Sequence, residues 1–114
     1  AIPEKFRRLK NIGNLELAYQ KTIGYSDVDI NGHLNNSKYM DYIMDCFSVE
    51  EHALYEAESI EVHFVHEALP GDVIQLLEDR AELGKNLMYI EGHKEENGET
   101  IFKAKIKIRK RGKN

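Results

Sequence analysis

The chain has 114 residues, 41% apolar and 32% charged, with a formal net charge of −4, which is the composition of one ordinary soluble globular domain. No run approaches the ~20 apolar residues of a membrane span, no secretory signal pattern opens the chain, and an acidic domain of this kind argues against nucleic acid. Cys46 is the single cysteine, so no intrachain disulfide forms and a reducing, cytoplasmic compartment is expected.

In chain order, residues 1–14 ("AIPEKFRRLKNIGN") are amphipathic and mixed in charge and read as a lead-in or linker remnant, leaving 15–114 as one domain. Residues 15–25 ("LELAYQKTIGY") carry β-formers and predict a first strand. A polar stretch follows, and from Asn36 onward Tyr39, Met40, Ile43, Met44 and Phe47 recur with helical spacing, opposite Lys38, Asp41, Asp45 and Ser48. The spacing predicts a long amphipathic helix to about Val49, capped by Asn35 or Asn36, with "EEHALYE" as a short extension or connector. The period then changes to two: Ile60, Val62 and Phe64 alternate with Glu61, His63 and Val65 until "LPGD" breaks the strand. "DVIQLLEDRAEL", "NLMYIEGHKE" and "TIFKAKIKIRK" predict three more strands, the last two joined across Asn97-Gly98, a hairpin signal. One apolar helix cannot bury itself, so the order predicts an α+β fold in which an antiparallel sheet of about five strands wraps a long central helix.

The charge is unevenly spread: residues 50–99 hold fourteen of the twenty acids, and 101–114 hold seven of the sixteen bases and no acid. In the last strand the bases alternate with Phe102, Ala104, Ile106 and Ile108, which gives one apolar and one cationic face. Two readings fit that face: a solvated edge strand guarded by lysines, or a docking surface for an acidic protein.

The densest chemistry is "SDVDINGHLNNSKYMDYI", residues 26–43. Asp29, Asn31 and His33 stand two apart, so an extended segment projects all three to one side, directly before a helix N-terminus with its unpaired amides. A histidine titrating near neutrality, an asparagine to orient it or a water, and a carboxylate to polarise it make a hydrolytic set. Thioesters suit that set better than amides, because a thiol of pKa about 8.5 leaves with little help from a general acid. The bland alternative is that the aspartates and Asn31 are turn residues and that His33 and Asn35 cap the helix.

The same string resembles the D-x-N-x-H-x-N-N signature of acyl-acyl-carrier-protein thioesterases. "IPEKFRRL" upstream and "IEVHFVHEALPGD" downstream are similar to the segments flanking it, so the resemblance covers roughly residues 2–74. It implies a hotdog fold and hydrolysis of a fatty acyl thioester in fatty acid biosynthesis. It also implies catalytic roles for Asp29, Asn31, His33 and Glu67: Glu67 and His33 activating water, Asn31 holding the thioester or the water, and Asp29 supporting the loop. The partner implied is acyl carrier protein, docking on basic residues such as Arg7, Arg8 and those of 103–113. No cofactor is implied, and the remaining histidines show no companions for a metal.

Two departures from the family pattern stand out. Plant members carry a cysteine after the glutamate, where this chain has Ala68, and Cys46 sits mid-helix as a core residue, so a water-based route is favoured. Family members also join two hotdogs in one chain, the first thought to hold the acyl pocket. This chain matches the second, so a homodimer or pairing with another hotdog is expected. Strict alternation places Glu67 on the face away from the core, and only a bulge within 66–70 or a partner brings it to the motif.

A second resemblance is to single-hotdog acyl-CoA thioesterases of the 4-hydroxybenzoyl-CoA type, in which Asp29 is the base or nucleophile and Glu67 is incidental. A non-catalytic acyl-binding hotdog is the third reading.

Overall fold

The computed structural model describes residues 15–29 and 34–112. Five strands form one antiparallel sheet: β1 (Glu16–Thr22), β2 (Tyr55–Phe64), β3 (Val73–Asp79), β4 (Leu87–Lys94) and β5 (Thr100–Lys110), in spatial order β1-β3-β4-β5-β2. Between β1 and β2 in sequence lie two helices, α1 (Asn36–Met44) and α2 (Val49–Leu54), and 3-10 turns occupy Tyr25–Asp27 and Leu83–Lys85. The change from helical to two-residue periodicity therefore marks the architecture as expected, an α1 helix held against a five-stranded sheet. The lead-in assigned to residues 1–14 lies outside the described residues.

Register explains which face is apolar. Phe102, Ala104 and Ile106 of β5 stand opposite Gly92, Ile90 and Met88 of β4, and opposite Phe64, Val62 and Ile60 of β2. Directly paired residues share a face, and that face meets α1, where the Tyr39 and Phe102 rings lie 5.7 Å apart, edge to face. Ile43, Ile74, Leu76, Met88, Ile90, Phe102, Ala104 and Ile106 lose all solvent contact there. Each large side chain so buried contributes about 1.5–3 kcal/mol. Gly92 is required by this packing: a Cβ on it would lie 2.4 Å from the Phe102 ring. Tyr19 ties β1 to the same helix, its hydroxyl donating to the Tyr42 carbonyl at 2.6 Å.

Turn chemistry sets the connections. In the β4–β5 hairpin Gly98 takes φ +74° and its N–H donates to the Lys94 carbonyl at 2.8 Å. Gly71 takes φ +93° in the Leu69–Asp72 turn, whose closing bond runs from Asp72 N to Leu69 O at 3.0 Å. The residue after Pro70 must adopt the left-handed conformation, which glycine does without strain.

Three expectations are corrected. The long helix is two helices: α1 ends at Met44, and Ser48 starts α2 through a reciprocal cap, its Oγ accepting from Glu51 N and Glu51 Oε1 accepting from Ser48 N. The S-x-x-E pattern "SVEE" is itself a helix start, whereas periodicity alone reads Ser48 as one more polar-face residue. Nor is β5 an edge. It pairs with β4 on one side and β2 on the other, and β1 and β2 are the outer strands of the sheet. Its cationic face is not uniformly solvated either: Lys103 is fully buried beside the equally buried Glu91, Nζ to Oε2 3.9 Å, and Glu91 Oε1 lies 2.8 Å from His93 Nε2.

Candidate active site

The polar stretch after β1 is built in two parts. In the first, Asp27 closes the 3-10 turn by accepting from Gly24 N at 2.9 Å, with Lys38 Nζ 3.8 Å from its other oxygen. The Gly24 N–H, then the Lys21 and Lys38 charges, hold the Asp27 carboxyl below the usual carboxylate range. Asp27 is thus a turn residue, as the bland alternative has it. In the second part Val28 and Leu34 form an isolated antiparallel bridge. Asp29, next to Val28, is exposed. Asn31 and His33, the other two candidates from this motif, lie outside the described residues.

Immediately after the bridge the chain becomes helical. Asn35 is the N-cap, its Oδ1 accepting from Ser37 N at 2.9 Å. The Val28–Leu34 bridge therefore stands next to the amino end of α1, where helix polarity favours developing negative charge.

Glu67 reaches this end of α1 because β2 stops short of it. The amides of Val65 and His66 both donate to one carbonyl, that of Ile101, at 2.8 and 3.2 Å. Two residues opposing one break the alternation, and the strand ends at Phe64. The chain then runs as a loop through 65–72, anchored at its far side by Gly71 N donating to Ile23 O at 2.8 Å. Released from the pleat, Glu67 lines a cleft of about 330 Å³ together with Leu34, Asn36, Tyr39, Phe64, Val65 and His66. The structure therefore brings Glu67 to the residue that follows His33 and to the first turn of α1.

Two lining residues carry signals that sequence reasoning passed over. Tyr39, read as core, is indeed buried, yet its hydroxyl approaches the Ala68 N–H at 3.4 Å and its ring sits in the cleft wall. Burial, with the nearby Glu67 and Asp72 carboxylates adding to it, pushes the Tyr39 phenol up. Its position one turn into the helix, three residues after Asn36, was the available clue. His66 had been set aside with the other histidines; it stands beside Glu67 with Nε2 3.4 Å from Glu99 Oε2 and Nδ1 3.3 Å from the Thr100 carbonyl.

Cys46 takes no part in the cleft. Its Sγ contacts the Tyr42 carbonyl at 3.7 Å, and burial pushes the thiol up to about 12, which leaves almost no thiolate at neutral pH. Among the described residues no three His, Cys, Asp or Glu side chains group as metal ligands.

Several of the basic residues of 103–111 differ in their surroundings. Lys103 is buried; Arg109 and Arg111 are committed to Glu56, at 2.7 and 3.3 Å; and Lys105 and Lys107 border a depression of about 310 Å³ with Lys85, Ser59, Glu61 and Leu87, on the sheet face away from α1. Arg7 and Arg8 lie outside the described residues.

Comparison with known proteins decides the family. Residues 17–114 match the acyl-ACP thioesterase C-terminal domain. The chain belongs to that family. Among solved structures, this thioesterase domain is similar to an acyl-ACP thioesterase from Bacteroides thetaiotaomicron, at 29% identity and a TM-score of 0.73, over 82% of this chain and 37% of that one. The chain thus spans little more than a third of that relative's length. A thioesterase from Thermus thermophilus, solved with coenzyme A and zinc, aligns at 19% identity and a TM-score of 0.68 over 81% of this chain and 78% of that one. A protein from Aquifex aeolicus aligns at 17% identity and a TM-score of 0.71, over 84% and 97%. The last two share the fold alone. No curated protein sequence matches. The architecture of this thioesterase domain, α1 held against a five-stranded antiparallel sheet, is the α+β hotdog fold. At the position where plant members carry cysteine, the domain has a fully buried Ala68.

Proposed function

We propose that this domain hydrolyses a fatty acyl thioester carried by acyl carrier protein, with water as the nucleophile and Glu67 as one of the groups that activate it. The observation that carries the reading is the delivery of Glu67 off the end of β2 into the cleft at the amino end of α1. A carboxylate there can take a proton from water as the water oxygen bonds to the thioester carbon. The C–S bond then breaks, and the thiolate leaves and takes up a proton, giving a fatty acid and a thiol. His33 shares the proton transfer, Asn31 holds the carbonyl or the water, and Asp29 supports their loop. No thiol nucleophile is needed, in keeping with Ala68 and the buried Cys46.

An acidic carrier fits the basic residues that border the depression on the sheet face away from α1: Lys85, Lys105 and Lys107. A second hotdog, another copy of this chain or a neighbouring domain, completes the acyl site. That substrate supports a role in fatty acid biosynthesis, and the single cysteine supports a reducing, cytoplasmic compartment. No described helix is long and apolar enough to cross a membrane.

Release of free thiol from matched acyl-ACP and acyl-CoA substrates, with Glu67→Ala and Asp29→Ala beside the parent chain, tests the proposal. Preference for acyl-ACP and loss of turnover in both variants is expected. Preference for acyl-CoA with loss only in Asp29→Ala replaces it with the 4-hydroxybenzoyl-CoA type of chemistry. Tight binding without turnover replaces it with an acyl-binding module.

A further inference from the structure

The loop that carries Glu67 is held at both ends by backbone bonds, through Ile101 at 65–66 and through Ile23 at 71. Between those anchors a side chain of α1 reaches the loop, the Tyr39 hydroxyl lying 3.4 Å from the Ala68 N–H. Ala68 is fully buried, so its amide has no water to fall back on. Tyr39 is itself immobilised: its ring packs against Phe64, Phe102 and Tyr42 at centroid distances of 5.2, 5.7 and 6.2 Å. Phe102 in turn occupies the space left by the missing side chain of Gly92.

We propose that Tyr39 is a positioning residue whose hydroxyl sets the height of the Glu67–Ala68 peptide over the cleft, so that the sheet core, through Gly92, Phe102 and Tyr39, fixes where the Glu67 carboxylate stands. The inference rests on the hydrolytic role proposed for Glu67. It adds to that role a residue with no proton-transfer duty of its own: Tyr39 acts on the reaction only through the loop.

The test is Tyr39→Phe, which keeps the ring and its packing and removes only the hydroxyl. Steady-state hydrolysis should lose about tenfold in kcat with KM within twofold, since a small misplacement of a catalytic group lowers turnover more than binding. In a Glu67→Gln background the same substitution should cost nothing further. Amide hydrogen exchange at Ala68 should accelerate about tenfold, the effect of losing one hydrogen bond. Tyr19→Phe is the structural control: it removes a bond to α1 outside the cleft and should lower stability while leaving kcat alone. An unchanged kcat in Tyr39→Phe, or a loss that adds fully to that of Glu67→Gln, overturns the proposal. If the parent chain hydrolyses no thioester, the functional reading fails instead, and exchange at Ala68 still decides whether Tyr39 holds the loop.

Discussion

At the scale of single residues, one carboxylate of the polar motif has structural work. Asp27 spends its hydrogen-bonding capacity on Gly24 N and its charge on Lys38, so it builds the turn. A hydrogen bond to a charged acceptor contributes about 1.5–3 kcal/mol. Because the folded-state pKa of Asp27 is lowered, this stabilisation is present above the ordinary carboxylate range and is lost as pH falls through the lowered value. Urea unfolding of Asp27→Asn should show a midpoint below that of the parent at pH 7, with the difference shrinking toward pH 3. An equal gap at both pH values would assign the turn to something other than the ionised carboxylate. Cys46 gives a second residue-level expectation: a thiol alkylating reagent at pH 8 should leave it unmodified in the folded protein, and Cys46→Ala should keep full hydrolysis. The sequence did not show which aspartate closes the turn: both stand in a turn-rich string, and the Gly24 and Lys38 contacts give that work to Asp27. Asn35 was legible as a cap because its side chain acts two residues away. Glu67 was legible only through resemblance, since alternation counts it onto the wrong face and the pairing of 65 and 66 with Ile101 lies far away in sequence.

At the scale of elements, strand limits were readable nearly to the residue where turns are local. Asn97-Gly98 and Pro70-Gly71 bound β5 and β3, and the predicted last strand coincides with Thr100–Lys110. Strand order was not readable, because it depends on pairing between β5 and β2 across some forty residues of chain. That is why the lysines of β5 looked like edge guards. The central position changes what each lysine does, and the difference is measurable. Lys103→Ala removes the buried cation beside Glu91 and should cost about 3 kcal/mol, toward the lower end for breaking a buried pair because His93 still faces the carboxylate. Lys107→Ala, exposed on the same strand, should stay within about 0.5 kcal/mol. Urea unfolding of the two variants checks this, and equal effects would contradict the buried pair. Gly92→Ala belongs here as well: its Cβ would lie 2.4 Å from the Phe102 ring, an overpacking that costs about 1–3 kcal/mol.

At the scale of the whole molecule, the domain has a complete core and an open site. Apolar side chains close completely around Ile43 and Phe102, whereas Phe64, at the end of an outer strand and on the cleft wall, keeps 46% of its surface exposed. An exposed aromatic at this cleft, on a sheet edge, is where a second hotdog would complete the binding surface. Light scattering at micromolar concentration is expected to give the mass of a dimer for the 114-residue chain, and a monomer would mean that the second hotdog must come from elsewhere. The expectation of a partner comes from the family resemblance rather than from any one residue, since an outer strand is recognised only after the sheet is assembled.

Whether Glu67 acts at the cleft is tested most directly by the turnover of acyl-ACP by Glu67→Gln. The amide keeps the size of the side chain and one acceptor oxygen, turns the other oxygen into an NH2 donor, and removes the charge and the ability to accept a proton. A fall in kcat of about 100-fold or more, with KM within twofold, is the predicted result. A kcat equal to that of the parent chain would contradict it and return the chemistry to Asp29.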